Sequence, residues 1–202
     1  LFGGNTLPSI QFVSSSDNVS NYQMLTSPVT LTSSPSEVYT NIAINGDYMF
    51  VGIPQATGPT SSDEYEGVGE IYKLTSVATS DVKEWVLLTT LEAPSAQRAA
   101  NLNFGLAASM DENFLVVATA ASGGSHLFIY ERSGDTFTNT VFRTIDVKGA
   151  STVVNKDYGQ GGIEIRDQVL ALGTGPLNST PDIRVWRYGA TTGQVNPAWD
   201  LA

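Results

Sequence analysis

The residues of this sequence most able to do chemistry are carboxylates. Asp63, Glu64 and Glu66 crowd into one short stretch, TSSDEYEG, whose composition is that of a loop. Calcium takes six to eight oxygen ligands, several of them from carboxylates that one loop brings together. The same composition suits a solvated insertion, or a contact with a partner. We therefore predict no metal site and keep these three residues only as calcium candidates.

Other catalytic chemistries find little support. A glycoside hydrolase needs two acids about 5–10 Å apart in a cleft, and nothing singles out such a pair among the 20 acidic residues. The single histidine, His126, stands in GGSHLFIYER without a defined nucleophile or acid beside it. The absence of cysteine excludes thiol catalysis and thiolate metal sites. The glycine-rich stretches GGSH and YGQGG lack the lysine and following helix of a phosphate loop. We predict neither an enzyme nor a cofactor.

Two asparagines fit the N-glycosylation sequon. Asn18 begins Asn-Val-Ser and Asn178 begins Asn-Ser-Thr, and both lie in polar stretches typical of loops. Asn178 is the better candidate because threonine at the third position is usually favoured. Used sequons would indicate a secreted or cell-surface glycoprotein, whereas unused ones are ordinary loop asparagines.

Composition and charge restrict the partners. The chain has 202 residues, of which 41% are hydrophobic and 15% charged, a globular composition with enough apolar residues for a core. Its net charge of −10 repels nucleic acids and anionic membranes, so neither is a predicted partner. No apolar run approaches the roughly 18 residues of a membrane helix. The start, LFGGNTLPSIQF, has no methionine and no signal-peptide pattern, so we expect processing or truncation of a longer precursor.

The elements that must position any site come from an internal repeat. The stretch INGDYMFVGIP, residues 44–54, recurs as MDENFLVVATA at 110–120 and IRDQVLALGTG at 165–175. Taking Gly52, Ala118 and Gly173 as equivalent gives spacings of 118 − 52 = 66 and 173 − 118 = 55. A second mark follows at similar spacing, in strands with a shared aromatic position: Tyr72, Tyr130 and Trp186. The two marks together identify a true repeat.

Each repeat unit has the pattern of about four β-strands. Runs rich in Val, Ile, Tyr, Phe and Thr are bounded by Gly, Asn, Asp and Pro, and NGD, MDEN and IRDQ supply hairpin turns. The second strands, YMFVGIP and FLVVATA, are apolar on both faces, so we expect them to be buried between neighbouring units. Helical pattern is limited to one short turn in APSAQRAANLNFG. Four strands in roughly 55 residues are typical of a β-propeller blade.

The phase of the repeat predicts the organisation of the chain. We expect an all-β fold, a partial β-propeller of about three to four four-stranded antiparallel blades. Residues 1–35 would end a preceding blade with its third and fourth strands, 36–94 and 95–149 would be whole blades, and 150–202 an incomplete one in which PAWDLA starts the fourth strand. Such an array is either a fragment of a longer ring or a ring completed by a partner. A small propeller of about four blades, closed on itself, is the alternative.

The same residues resemble the FG-GAP repeat over about residues 36–190. That pattern is Phe-Gly, a strand, a turn, an apolar strand ending in Gly-Ala-Pro, and then an aromatic strand. The matching segments are Phe104-Gly105, Tyr158-Gly159 and Tyr39-Thr40 for the first mark, Gly52-Ile53-Pro54, Ala118-Thr119-Ala120 and Gly173-Thr174-Gly175 for the second, and Ile71-Tyr72-Lys73, Ile129-Tyr130-Glu131 and Val185-Trp186-Arg187 for the third.

The resemblance implies a propeller similar to the head of integrin α-subunits, which is extracellular, non-enzymatic and adhesive. Some members bind calcium in the hairpin loop through alternating Asp and Asn residues. The loops here are shorter and poorer in such residues, so we expect no calcium site of that type. The loop residues concerned are Asn45, Asp47, Asp111, Glu112, Asn113 and Asp167.

We therefore expect a non-enzymatic structural or adhesive module of a secreted, cell-surface or appendage protein. Its partners would be other protein chains, further propeller segments or glycans, with no nucleic acid and no membrane insertion. A carbohydrate-binding propeller is one alternative, because five aromatic residues could stack on sugars, although core packing is favoured for them. A hydrolase or lyase whose site lies in missing blades is another. The aromatic residues are Tyr72, Trp85, Tyr130, Trp186 and Trp199.

Overall fold

The protein is almost entirely β-structure. The computed structural model describes residues 9–10, 13–15, 22–24, 29–30, 41–57, 65–76, 83–119, 126–146, 162–174, 182–189 and 198–201. Within these ranges the helical content is one turn of 3-10 helix at Ser95–Gln97, in the stretch where the sequence predicts a short turn. The all-β prediction is confirmed.

Short antiparallel pairings come first in the chain. Their strands are β1 Ser9–Ile10, β2 Val13–Ser15, β3 Tyr22–Met24 and β4 Val29–Thr30. Strand β2 pairs with β3, and β1 pairs with β4 outside them, as in one interrupted hairpin.

Three larger antiparallel sheets follow, each a meander in chain order. Sheet 1 contains β5 Asn41–Asn45, β6 Tyr48–Ile53, β7 Val68–Ser76 and β8 Lys83–Leu91. Sheet 2 contains β9 Ala107–Met110, β10 Phe114–Ala118, β11 His126–Ser133, β12 Thr136–Phe137 and β13 Arg143–Asp146. Sheet 3 contains β14 Ile163–Arg166, β15 Val169–Thr174, β16 Asp182–Gly189 and β17 Ala198–Leu201.

Sheet 2 differs from the others only in a broken fourth strand. Strand β12 pairs with the end of β11, at Arg132 and Ser133, and β13 pairs with its beginning, from His126 to Ile129. Each sheet thus has four strand positions, the number that the sequence predicts. In sheet 3 the fourth position is β17, which includes residues of PAWDLA.

The hydrogen-bond register repeats between sheets at the positions that the sequence repeat equates. Gly52 lies opposite Asn41, Ala118 opposite Ala107, and Gly173 donates to the carbonyl of Gly162, so that 52 − 41, 118 − 107 and 173 − 162 are all 11. The aromatic residues of the third strands also take one position, because Tyr72 pairs with Met49, Tyr130 with Leu115 and Trp186 with Leu170. The repeat is therefore structural as well as sequential.

The hairpins between first and second strands are tight, as their turn residues require. Gly46 takes a φ of 55° in the first turn, while Asp167 and Gln168 both have positive φ in the third, the conformation of a two-residue hairpin turn. In the second turn the Oδ1 atom of Asp111 accepts hydrogen bonds from the amides of Asn113 and Phe114, both at 2.8 Å. This carboxylate therefore closes its own turn.

Each large sheet has two different faces, here called rear and front. The rear face carries the repeat aromatic and, in sheet 2, Leu115 and Val117; the front face of sheet 2 carries Phe114 and Val116. The front face of sheet 1 packs against the rear face of sheet 2, and the front face of sheet 2 packs against the rear face of sheet 3. The first strands β5, β9 and β14 lie side by side through this stack.

The buried core consists of the layers between these faces. Every residue of β6 and β10 is buried, which confirms that the second strands are covered on both sides. A fully buried aliphatic or aromatic side chain stabilises the fold by about 1.5–3 kcal/mol. The stack is therefore held mainly by apolar contacts between sheets.

Candidate functional site

The closest approach between sheets joins the end of β6 to the loop that enters sheet 2. A Cβ atom on Gly52 would overlap the carbonyl oxygen of Gly105, and one on Gly67 would overlap the backbone of Phe104. Gly67 and Gly105 also have φ values of +86° and +87°, which side-chain-bearing residues rarely adopt. The Phe-Gly mark of one repeat thus packs against the small-residue mark of the preceding one.

Beside this junction lies a buried ion-pair cluster centred on Arg98. Glu66 is fully buried, its carboxylate oxygens accept no hydrogen bond in the described structure, and its Oε1 atom lies 3.3 Å from Nε of Arg98. The same guanidinium donates from Nη2 to Oε2 of Glu92 at 2.7 Å and from Nε to the carbonyl of Ala93 at 2.8 Å. Arg98 therefore holds three backbone segments together: the lead into β7, the end of β8 and the turn that enters sheet 2.

Backbone hydrogen bonds fix the same place. The amide of Phe104 donates to the carbonyl of Glu66 at 2.8 Å, and the amide of Asn103 donates to that of Tyr65 at 3.0 Å. Tyr65 and Asn103 both have positive φ, so the two segments approach each other in strained conformations that this pairing maintains. The ion-pair cluster and the glycine junction form one rigid corner between sheets 1 and 2.

An open cleft of about 790 Å³ adjoins this corner, between the end of β8 and the segment leading into β13. Arg98 and Glu92 lie at one wall, where they are paired with each other, and Phe142 and Arg143 lie at the other. Catalysis would need a positioned nucleophile or a pair of convergent acids. Among the described lining residues Glu92 is the single acid, and it is engaged by Arg98.

A second polar cluster between sheets 1 and 2 lies at the opposite end of their strands, beside the hairpin turns. The Cζ atom of Arg132 is 4.3 Å from the centre of the Tyr48 ring, and Nη2 donates to the Tyr48 hydroxyl at 3.4 Å. Lys73 pairs with the exposed Asp135 at 3.2 Å, and this contact raises the pKa of Lys73. The remaining donors of Arg132 point at the carbonyls of Glu112 and Gly134. This cluster ties sheet 1 to sheet 2.

Two of the repeat aromatic residues, Tyr72 and Tyr130, are buried tyrosines. Tyr72 donates to Oε2 of the buried Glu70 at 2.5 Å, and burial followed by the Glu70 carboxylate raises the pKa of Tyr72. Tyr130 donates to the carbonyl of Glu92 at 3.3 Å, and burial raises its pKa despite the opposing charge of Arg98. The Tyr130 hydroxyl bonds across to the end of β8 in sheet 1, whereas the Tyr72 hydroxyl bonds within β7.

These pKa shifts predict alkaline sensitivity. An unfolded tyrosine loses its proton near pH 10, whereas Tyr72 and Tyr130 keep theirs in the folded protein, so the free energy of unfolding falls as the pH rises above about 10. Each tyrosine adds a slope of about 1.4 kcal/mol per pH unit above that point. Urea titrations from pH 8 to 11 measure how the free energy of unfolding changes with pH. Tyr130→Phe should reduce that slope by the contribution of one proton, about 1.4 kcal/mol per pH unit. An unchanged slope in that variant would contradict the assignment.

The sequence candidates are placed as follows. Asp63, Glu64, Asn18 and Asn178 lie outside the described residues. Glu66 differs from the expected loop carboxylate, because it is buried against Arg98 rather than solvated. Over the described ranges, no group of three or more histidines and carboxylates is arranged to hold a metal ion.

The aromatic candidates pack into the core where their side chains are described. Tyr72, Tyr130 and Trp186 are buried, which confirms core packing for these three, and the partly buried Trp85 packs beside Tyr72. Trp199 pairs through its backbone with Tyr188. His126 begins β11 as expected; its amide donates to Oγ1 of Thr119, and its ring stacks on Phe128.

Comparison with known proteins gives no family. No protein-family model matches the sequence, and no curated protein matches it. Among the described residues, no helix has the length and hydrophobicity needed to cross a bilayer. What the chain does must therefore be argued from its own geometry.

Sequence reasoning missed the Arg98 cluster. Arg98 follows a proline and a short polar turn, where an arginine is usually a surface residue. Its partners lie 32 and 6 residues earlier, at Glu66 and Glu92, in different elements. One available signal was the position of Glu66 directly before a glycine and a strand, as part of the β7 entry rather than the middle of the acidic loop.

Proposed function

We propose that the three sheets are blades of an FG-GAP-type β-propeller, and that the protein is a non-enzymatic structural or adhesive module. The supporting observation is the uniform stacking: in each sheet the same aromatic position lies on the rear face, and the front face of sheet 1 and of sheet 2 packs on the rear face of the next sheet. Successive meanders with adjoining first strands are the arrangement from which a propeller is built.

The polar chemistry of the described surfaces supports a binding role over catalysis. The two ionic clusters are used to join sheets 1 and 2, and their donors point at backbone carbonyls and carboxylates of the same chain. A rigid stack with loop-rich ends presents broad surfaces of the kind used in protein–protein contacts and in assembly. We propose other polypeptides as the partners and the extracellular space or the cell surface as the location.

One experiment on the native protein tests this function. Intact-mass measurement before and after enzymatic removal of N-glycans should show a loss of mass, and lysine cross-linking followed by mass spectrometry should join Lys73 or Lys83 to another polypeptide. An unchanged mass would overturn the extracellular assignment. Cross-links confined to one chain, together with saturable binding on a glycan array, would replace assembly by carbohydrate recognition.

A further inference from the structure

Among the described sheets, the stack ends at the front face of sheet 3, which is partly exposed. Ile183 occupies the position in sheet 3 that Leu127 occupies in sheet 2. Ile183 lies directly opposite Gly173, and Leu127 lies directly opposite Ala118. Leu127 is 1% exposed against sheet 3, whereas Ile183 is 74% exposed. Val169, Ala171 and Val185 surround Ile183 at the positions of Phe114, Val116 and Ile129, which are buried. The face has the apolar residues of an interface, and none of the described sheets packs against it.

The other end of the stack carries a matching apolar stripe. On β5, Ile42 and Ile44 are 41% and 50% exposed on the rear side of sheet 1. The corresponding residues of β14 are Ile163 and Ile165, with Ile165 2% exposed. These two pack in one cluster with Phe114, Val116, Leu127 and Ile129 of the preceding sheet.

The front face of sheet 3 and the Ile42–Ile44 stripe therefore correspond to parts of the contact that the chain already makes between sheets 2 and 3. Between sheets 2 and 3, a first-strand isoleucine stripe lies against a front face of valine, leucine, isoleucine and phenylalanine. We propose that the front face of sheet 3 receives the Ile42–Ile44 stripe of a second copy of this chain, so that copies associate head to tail. This inference rests on the proposed assembly function and names its partner.

A second copy would bring to the front face of sheet 3 an isoleucine stripe of the kind that Ile163 and Ile165 place against sheet 2. The rest of the rear face of sheet 1, including Met49, Val51 and Tyr72, is already buried, so the contact would be made through the first strand. A contact made through one strand buries little surface, so the association should be weak and should depend on protein concentration. Because each copy carries a net charge of −10, salt should strengthen it by screening the repulsion.

Sedimentation velocity of the purified chain over a concentration series tests the proposal. We expect the average mass to rise above the monomer mass of 21.5 kDa with concentration, and to rise further with added sodium chloride. Ile183→Asp and Ile44→Asp should each weaken association about tenfold or more, because each places a charge where the proposed contact would bury an isoleucine. Val86→Asp, at another exposed apolar residue outside both surfaces, should leave it unchanged.

Mixing the two variants distinguishes this contact from others. In a head-to-tail contact, Ile183→Asp keeps an intact stripe and Ile44→Asp keeps an intact front face, so a mixture should form dimers and nothing larger. A contact between two identical faces cannot be restored in this way. Circular dichroism confirms that each variant is folded.

A wild-type chain that stays monomeric at every concentration, or variants that show no complementation on mixing, would overturn the proposal. Either result leaves the proposed function testable, because cross-links to a different polypeptide would still support assembly. Loss of both the self-association and those cross-links would remove the assembly function as well.

Discussion

Gly52→Ala should destabilise the protein by at least about 3 kcal/mol, a large part of the free energy of unfolding of an ordinary domain. The added methyl group would overlap the carbonyl oxygen of Gly105. Backbone atoms on both sides form this contact, so no side chain can rotate away. Relief requires sheets 1 and 2 to separate at their closest point, which would also disturb the neighbouring Glu66–Arg98 pair. Urea unfolding followed by tryptophan fluorescence measures the loss.

The repeat supplies a matched control for this change. Gly173 occupies the same position in sheet 3, but a Cβ atom there would lie 3.7 Å from the carbonyl oxygen of Gly162, an ordinary contact. Gly173→Ala should therefore be neutral, or stabilising by up to about 1 kcal/mol, because it reduces the conformational freedom of the unfolded chain. If both variants lost the same stability, the repeat position rather than the contact between sheets 1 and 2 would be responsible.

The sequence was sufficient to predict the strands and to identify which strands occupy equivalent positions in the three sheets. The marks at Gly52, Ala118 and Gly173 and at Tyr72, Tyr130 and Trp186 return as register positions, because period-two strands with tight turns permit few alternative pairings. The small residue near the end of each second strand is one of these marks. In sheet 1 it also admits the backbone of the next sheet, a long-range contact that no local pattern specifies.

The buried ion pair between Glu66 and Arg98 could not be predicted from the sequence either, because it too depends on long-range contacts. A carboxylate in TSSDEYEG has the local context of a solvated loop, and its burial depends on where residues 98 and 103–105 are placed by sheet 2. The exposed front face of sheet 3 could likewise not be predicted from the sequence, because the prediction requires the direction in which the sheets stack. Alternation along a strand predicts two faces, but not which one a neighbour covers.

Arg98→Met should cost about 3–5 kcal/mol, because it removes the positive partner of a fully buried carboxylate. Methionine keeps most of the apolar stem, so the loss reports the missing charge and its hydrogen bonds rather than lost packing. Arg166→Met provides the comparison, since the Arg166–Asp167 pair is 3.8 Å apart and almost fully exposed. Exposed pairs contribute at most about 1 kcal/mol, so this variant should unfold close to the wild-type midpoint.

The double variant Arg98→Met with Glu66→Gln separates the charge from the architecture. Once Glu66 is neutral, the corner no longer contains an uncompensated buried charge, and the double variant should be more stable than Arg98→Met alone by about 1–3 kcal/mol. The remaining deficit belongs to the bonds from Arg98 to Glu92 and to the carbonyl of Ala93. If the two losses simply added, Glu66 would not depend on Arg98, and the corner between sheets 1 and 2 would owe its rigidity to the glycine junction alone.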